Sequence, residues 1–447
     1  MKRVVVCLAS IAAISIMWVQ AYSQDADKIT VKDMDPRETH QEYNHILALG
    51  VNQPFSKGSN NLSPLIAYYW FGDNFKNPDL YTQFTFTTTR IFFILGYKTD
   101  RVYAGVKPLL EHSTYSAWHS FNRGYNDERR EFGGNNAGIG GFFQYNFLRI
   151  LSARINFHSS YHFYRFPILT PNENKYVNMP HRHWQLKPWI ELQLSDLEEK
   201  SLTRVRHGYL FRVEYHYARR IGYGTWYDYD RLGTREKIND TWAPLYPGAG
   251  NISTKGVWYK SNIKDTHRFY FSAGGYYNFK HDINLQFDIY GGLFTGVDRN
   301  NAEQIGYYQA DYAIMPGYFC AEFFHNFYVI SRLQIGLPIP FWDARIQPGF
   351  NVLYMPITNE VIGIGRGAVT RQDLVQQYPR RFYTSVSCSF SLLLGNLLPF
   401  FVDYAYGIDA DRTKAAHKLY YRSNNKGNHE LQVMVLMAFD KNEPDKK

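Results

Sequence analysis

The chain has 447 residues, a formal charge of +9, and 17% aromatic side chains, 37 of them Tyr and 32 Phe. Removal of a leader carrying Lys2 and Arg3 leaves +7 dispersed over the rest, with mixed-sign clusters such as DERREF (127–132), which excludes a nucleic-acid footprint. Of three cysteines only Cys320 and Cys388 lie beyond that leader, so no disulfide scaffold holds the fold.

The first element is a secretory signal over residues 1–23. It has a basic start, an apolar run from Val4 to Val19, and the small residues Ala21 and Ser23 around Tyr22. Cys7 does not fit a lipoprotein cysteine, because branched Val6 precedes it and the apolar run continues past it. Residues 24–45 read as a short periplasmic segment. After the signal, no run approaches the roughly 20 apolar residues a membrane helix needs; LLLGNLLPFFV (392–402) is broken by Gly395, Asn396 and Pro399.

Strand-like segments then follow in order, from ILALGVNQPF (46–55) onward. In 153–165, Ala153, Ile155, Phe157, Tyr161 and Phe163 share one face, and Arg154, Asn156, His158, Ser160 and His162 the other. In 185–194, Leu186, Pro188, Ile190, Leu192 and Leu194 oppose Gln185, Lys187, Trp189, Glu191 and Gln193. In 210–218, Phe211, Val213, Tyr215 and Tyr217 oppose Arg212, Glu214 and His216. Segments 284–290 (with Asp288 on the polar face), 331–339, 346–354 and 401–408 alternate in the same way. Turn clusters such as SKGSNN, GYNDER, PNEN and RSNNKGN separate them. The last segment, 429–439, places Leu431, Val433, Val435, Met437 and Phe439 on one face, and the polar tail 440–447 follows.

A soluble all-β sandwich also alternates. Export, aromatic load and an apolar terminal strand together point instead to a transmembrane antiparallel β-barrel over residues 46–439, the one non-helical structure that pairs every backbone group in lipid. About 25 residues per strand and connection give about 16 strands. Arg154, Arg212, Glu214, His216 and Asp288 are expected to face the lumen, where Arg212 and Glu214 would largely neutralise each other. Gly50 and Pro54 in the first strand predict a weakly bonded junction with the last strand.

Other chemistry is thin. His158 and Ser160 have the spacing of a His-x-Ser hydrolase pair, with no carboxylate on the same strand to complete it. HRH (181–183) lacks further ligands at metal spacing. GIGRG (363–367) lacks the lysine of a phosphate loop, and NIS (251–253) carries little meaning in a bacterium. The expectation is a protein that is not an enzyme and has no cofactor or metal.

From GGLFTGVDRNN (291–301) through 327–339, 346–356 and 380–409 to the terminal strand, the order of elements resembles the carboxy-terminal barrel of the bacterial surface-antigen superfamily. That superfamily includes BamA-type insertases, two-partner secretion transporters and patatin-like phospholipases with an attached barrel. The resemblance implies a lumen-folded loop with an Arg-Gly-aromatic signature. Arg299 is its candidate here, with Asn300 and Asn301 in place of the glycine and aromatic; Gly365–Gly367 is a later alternative. It also implies a Gram-negative-type outer membrane, contact with membrane lipid, and the assembly machinery as partner. That machinery would read Leu431, Val433, Val435, Met437 and Phe439 as an insertion signal, although the tail after Phe439 departs from the pattern. The leading segment is too short for a periplasmic domain, so a barrel-only member is expected. Its role would be protein insertion or translocation, with protein cargo or lipoproteins as further partners. A passive channel or structural barrel is the alternative.

Overall fold

The structure is a computed structural model that describes residues 43–54, 63–72, 75–77, 79–87, 90–112, 121–122, 125–126, 133–148, 150–165, 180–200, 205–224, 226–229, 235–238, 241–244, 258–261, 263–296, 303–306, 313–318, 323–340, 344–355, 381–394, 398–409 and 428–441. Sixteen long strands follow one another: β1 (Tyr43–Pro54), β2 (Ser63–Gly72), β3 (Leu80–Thr87), β4 (Arg90–Lys98), β5 (Val102–His112), β6 (Gly133–Leu148), β7 (Leu151–Arg165) and β8 (His183–Ser195). The second half is β9 (Val205–Ile221), β10 (Asp265–Asn278), β11 (Asn284–Thr295), β12 (Phe327–Ile339), β13 (Ala344–Tyr354), β14 (Phe382–Leu394), β15 (Leu398–Gly407) and β16 (Asn428–Lys441).

Each strand pairs antiparallel with its sequence neighbours, and β1 pairs with β16, so the sheet closes into a barrel without a free edge. The count equals the sixteen that chain length suggests. Glu198–Lys200 adds a short ribbon beside the start of β9. The two ends of the barrel differ: one carries the connections 73–79, 99–101, 149–150, 196–204, 279–283, 340–343 and 395–397, none longer than nine residues, whereas the other carries 113–132, 166–182, 222–264, 296–326, 355–381 and 408–427 besides the short 55–62 and 88–89.

Strand alternation sorts the side chains. On β7 and β8, Ile155, Phe157, Ile190 and Leu192 turn outward and stay about half exposed, while Asn156, Ser160 and Glu191 turn inward and are buried. The outward set continues around the wall with Val106, Ile139, Phe143, Phe211, Phe269, Phe287, Leu333 and Phe350. A water-soluble sheet places its apolar face inward; here the greasy face is outside and the polar one inside, the reverse of a sandwich. Val213 and Ile289 share the outward parity of Phe211 and Phe287. Val433 and Val435 do too, yet each keeps only 3% exposure.

Tyrosines on the outer wall find partners near the strand ends. Tyr68 and His45 lie 2.7 Å apart (hydroxyl to Nδ1), Tyr215 and His267 2.8 Å, and Tyr404 and His429 2.7 Å. Each pair bridges adjacent strands and satisfies a phenol that is otherwise surrounded by apolar surface. The β10–β11 hairpin turns through Lys280–Asp282, where His281 and Asp282 both have positive φ, 63° and 57°. That is the sign which matches the right-handed twist of a hairpin. Arg345 on β13 holds this turn by donating from Nη2 to the Asp282 carbonyl at 2.7 Å.

Candidate functional site

The inner wall is polar and its charges interlock across strands. Strand register sets Arg154 opposite Glu191, and Glu191 opposite Glu214. Two carboxylates facing each other would repel, so each needs its own cation or donor. Glu214, 3% exposed, accepts from His216 Nε2 at 2.7 Å and pairs with Arg212 Nε at 3.3 Å. Trp189 stacks on the His216 ring at 5.4 Å, fixing its plane. Asp288 accepts the Tyr276 hydroxyl and faces Arg332 in register. Thus Arg154, Arg212, Glu214, His216 and Asp288 all lie on the inner wall, and Arg212 and Glu214 do pair.

That pairing leaves a surplus. Between β4 and β13 the described inner wall carries Arg90, Lys98, Lys107, Arg154, Lys187, Arg212, Arg220, Arg268, Arg332 and Arg345, against Glu111, Glu191, Glu214 and Asp288. From β14 through β16 to β3 it carries Asp403 and Glu430 and, among the described residues, no Lys or Arg.

The histidines on β7 and β8 form a cluster of their own. Ser160 meets His162 Nε2 at 2.9 Å; the His158–Ser160 pairing considered from sequence is not the one formed. His162 stacks face to face on His183 at 5.1 Å, and His183 Nδ1 lies 3.0 Å from the His181 carbonyl. Ser160 is 1% exposed. Among the described residues no group of three His, Cys, Asp or Glu is placed to hold a metal.

The connection between β11 and β12 turns inward. Glu303–Ile305 pairs with Phe323–His325, and Gly306 bridges to Ile314. Met315 N donates to Gly306 O at 2.7 Å, and Gly306 N to Ala313 O at 3.1 Å. Ile305, Ala313, Met315 and Tyr318 are fully buried against Tyr270, Phe294, Tyr328, Ile330, Leu353 and Tyr383, all inner-wall side chains of β10–β14. Burying these four side chains is worth on the order of several kcal/mol. Polar contacts set the position: the Ile314 carbonyl accepts from the Tyr290 hydroxyl and from Arg332 Nη2 at 3.4 Å. Arg332 is itself aimed by Nε donating to Asn351 Oδ1 at 3.1 Å. Tyr318 donates its hydroxyl to the Thr384 carbonyl at 2.8 Å. Gly317 has φ +84°, and a Cβ on it would lie 2.5 Å from the Gly407 backbone nitrogen, so only glycine permits this approach to β15.

The inner segment thus presents a glycine–aromatic pair, Gly317–Tyr318, preceded by Pro316. Sequence reasoning sought an arginine before such a pair and settled on Arg299. Arg299 and residues 363–367 lie outside the described residues. The arginine nearest the docked segment is Arg332, on the wall.

The seam between β1 and β16 is paired from Tyr43 opposite Lys441 to Pro54 opposite Glu430 without a register shift. This corrects the weak junction expected from Gly50 and Pro54. A Cβ at Gly50 would lie 2.6 Å from the Val433 carbonyl oxygen, so the glycine allows closer strand approach rather than loosening it. On the inner side Ile46, Ala48, Ala67, Phe71, Phe401, Met434 and Leu436 form one apolar cluster.

No protein-family model and no curated protein matches the sequence. Solved structures do match in fold. BamA from Haemophilus ducreyi lacking POTRA domains 1–3 is 11% identical, with 96% of this chain and 78% of that chain covered and a TM-score of 0.50. CdiB from Acinetobacter baumannii is 9% identical, covering 88% of this chain and 60% of that one at a TM-score of 0.49. OprB from Pseudomonas putida is 9% identical, covering 89% and 94% at 0.44. With sixteen antiparallel strands closed by the first and last, the chain has the fold of a BamA-like barrel.

Proposed function

We propose that the protein is an outer-membrane barrel that acts on other proteins, inserting or translocating them alone or as the barrel component of a complex. Its apolar outer wall suits the hydrocarbon layer, the end with the short connections, where β1 starts and β16 stops, suits the periplasmic side, and the leader read from the sequence supplies export. The observation that carries the reading is the docking of 303–306 and 313–318 against the inner wall. An apolar segment packed on the inner wall of β10–β14 and fastened there by Tyr290, Arg332 and Tyr318 takes up lumen that a passive channel would leave to solute, which favours this reading. In a barrel whose first and last strands meet at a seam, the same segment braces the wall while β1 and β16 provide an edge for a strand of cargo.

The test is a cysteine pair at Leu49 and Val435, register partners across the seam. Oxidation should abolish the cellular or reconstituted assembly activity while leaving the barrel heat-modifiable on a gel, and reduction should restore it. Full activity with the seam locked, alongside solute flux through the same protein, would replace this reading with that of a channel.

A further inference from the structure

We infer that the outer wall carries a site for a phosphorylated, anionic lipid headgroup, on β8–β10 at the end of the barrel with the long connections. The inference rests on the reading of this wall as lipid-facing and names the lipid class that one part of it selects.

The outward face of the described strands is apolar almost throughout, and Arg219 on β9 with its register partner Asp265 on β10 interrupts it, Nη1 to Oδ1 at 3.9 Å. Both share the outward parity of Phe211 and Phe269, and their side chains are 57% and 46% exposed. Around them the wall stays polar: Tyr217 donates its hydroxyl to Asp265, and the Tyr215 hydroxyl bonds His267 Nδ1. An outward arginine is costly at the bilayer midplane and nearly free at its surface, so the pair belongs at headgroup depth.

Two further cations stand at the same rim. Arg182, exposed, lies two residues before Trp184, and Lys264, exposed, is set one residue beyond Asp265 by Arg220 N donating to its carbonyl at 2.8 Å. Register puts Trp184 level with Ile221, so Arg182 and Arg219 are separated by roughly 13 Å along the wall, a span that two arginine side chains can close onto one phosphate. Among the described residues three cations thus meet one carboxylate, which already accepts from Tyr217. The sign of the patch calls for an anion, and the guanidinium fork suits a phosphate in particular. Trp184, 50% exposed and 5.5 Å from the Tyr161 ring, forms an aromatic shelf of the kind that holds the boundary between acyl chains and headgroups. Toward the middle of the wall, outward Phe269, Phe211 and Ile190 offer an apolar track for the acyl chains. The Tyr404–His429 pair occupies the same end of β15 and β16, and the described residues of those strands at that end include no Lys or Arg. An aromatic belt alone therefore does not account for the cations.

The test places the full chain, folded, in phosphatidylcholine nanodiscs that contain either phosphatidic acid or diacylglycerol, lipids with the same acyl chains that differ in the phosphate. Native mass spectrometry counts the lipids that stay bound. Phosphatidic acid should be retained over diacylglycerol, and Arg182→Gln with Arg219→Gln should lower that retention about tenfold. Arg219→Lys, which keeps the charge, should lower it less, and Arg101→Gln, at an exposed arginine on the opposite end of the barrel, should leave it unchanged. Soluble glycerol phosphate in excess should not displace the lipid, because it lacks the acyl chains. Displacement by glycerol phosphate would make this a free-phosphate site and overturn the lipid assignment. Equal retention of the two lipids, or as great a loss in Arg101→Gln as in the double variant, overturns the site itself. Heat-modifiability on a gel shows that each variant is folded before its result is read. A wild-type barrel that does not enter the bilayer defeats the membrane reading together with this inference, whereas a folded one without the preference defeats the inference alone.

Discussion

Asn52 on β1 donates from Nδ2 to Glu430 Oε1 on β16 at 3.1 Å, a buried side-chain bond that joins residues 378 positions apart across the closing seam. Backbone pairing closes the barrel along its whole length, and this contact adds a register mark, because a slip of one strand by one residue would turn its side chain onto the opposite face from its partner. It also makes the seam sensitive to charge. Asn52→Leu should destabilise the barrel by about 2–3 kcal/mol, since a buried carboxylate loses a donor. Adding Glu430→Gln should recover part of that loss. Unfolding in urea with detergent micelles, followed by gel mobility, measures both, and equal loss in single and double variants would show the pair to be incidental.

Gly50 and Gly275 make a matched comparison. A Cβ at Gly50 collides with the Val433 carbonyl at 2.6 Å, whereas one at Gly275 has nothing within 4 Å. Gly50→Ala should cost about 1–3 kcal/mol as strands β1 and β16 are pushed apart. Gly275→Ala should be neutral or slightly stabilising, because alanine lowers the entropy of the unfolded chain. Comparable midpoints for the two variants would mean that the seam tolerates the extra methyl group.

The strands were legible because each one satisfies two local demands at once, an apolar face and a polar face at period two, and because turn residues mark the breaks. The polar parity of Arg154, Arg212, Glu214, His216 and Asp288 follows from the same alternation. What was not legible depends on register and on distant surfaces. That Glu191 faces Glu214, or that Ser160 turns to His162 rather than His158, follows from strand offset and side-chain rotamer. The docking of Gly317–Tyr318 needs Gly407 and Thr384 to be in place, and no pattern within 296–326 encodes them. The seam was misjudged because glycine and proline were weighed by their average effect on a strand, not by what the partner strand required.

Sidedness separates a lipid-facing wall from a solvated one. Ile190→Arg and Phe269→Arg, on the outward face, should each cost about 2–4 kcal/mol near the middle of the bilayer, while Gln193→Arg on the inner face should cost much less. Folding yields into phospholipid vesicles at graded urea concentrations read the difference. Equal tolerance of arginine on both faces would contradict a membrane-spanning wall.

The docked segment is held by an apolar plug and a polar latch, and the two can be separated. Ile314 offers one carbonyl to two donors, Tyr290 and Arg332, with Arg332 aimed by Asn351. Tyr290→Phe removes one donor and keeps the ring, so it should loosen the segment by about 1 kcal/mol; with Arg332→Met the second donor goes as well, for about 2–3 kcal/mol in all. The apolar contacts of Ile305, Ala313 and Tyr318 remain, so the barrel should stay folded while the segment leaves its dock about thirtyfold or more often, since 1.4 kcal/mol corresponds to a tenfold change in population. A cysteine at Met315, fully buried in the docked state, reports each departure through its rate of reaction with a water-soluble maleimide. Acceleration in the order wild type, Tyr290→Phe, double variant assigns the latch to these donors. A rate that is the same in all three would mean that apolar burial alone keeps the segment in place.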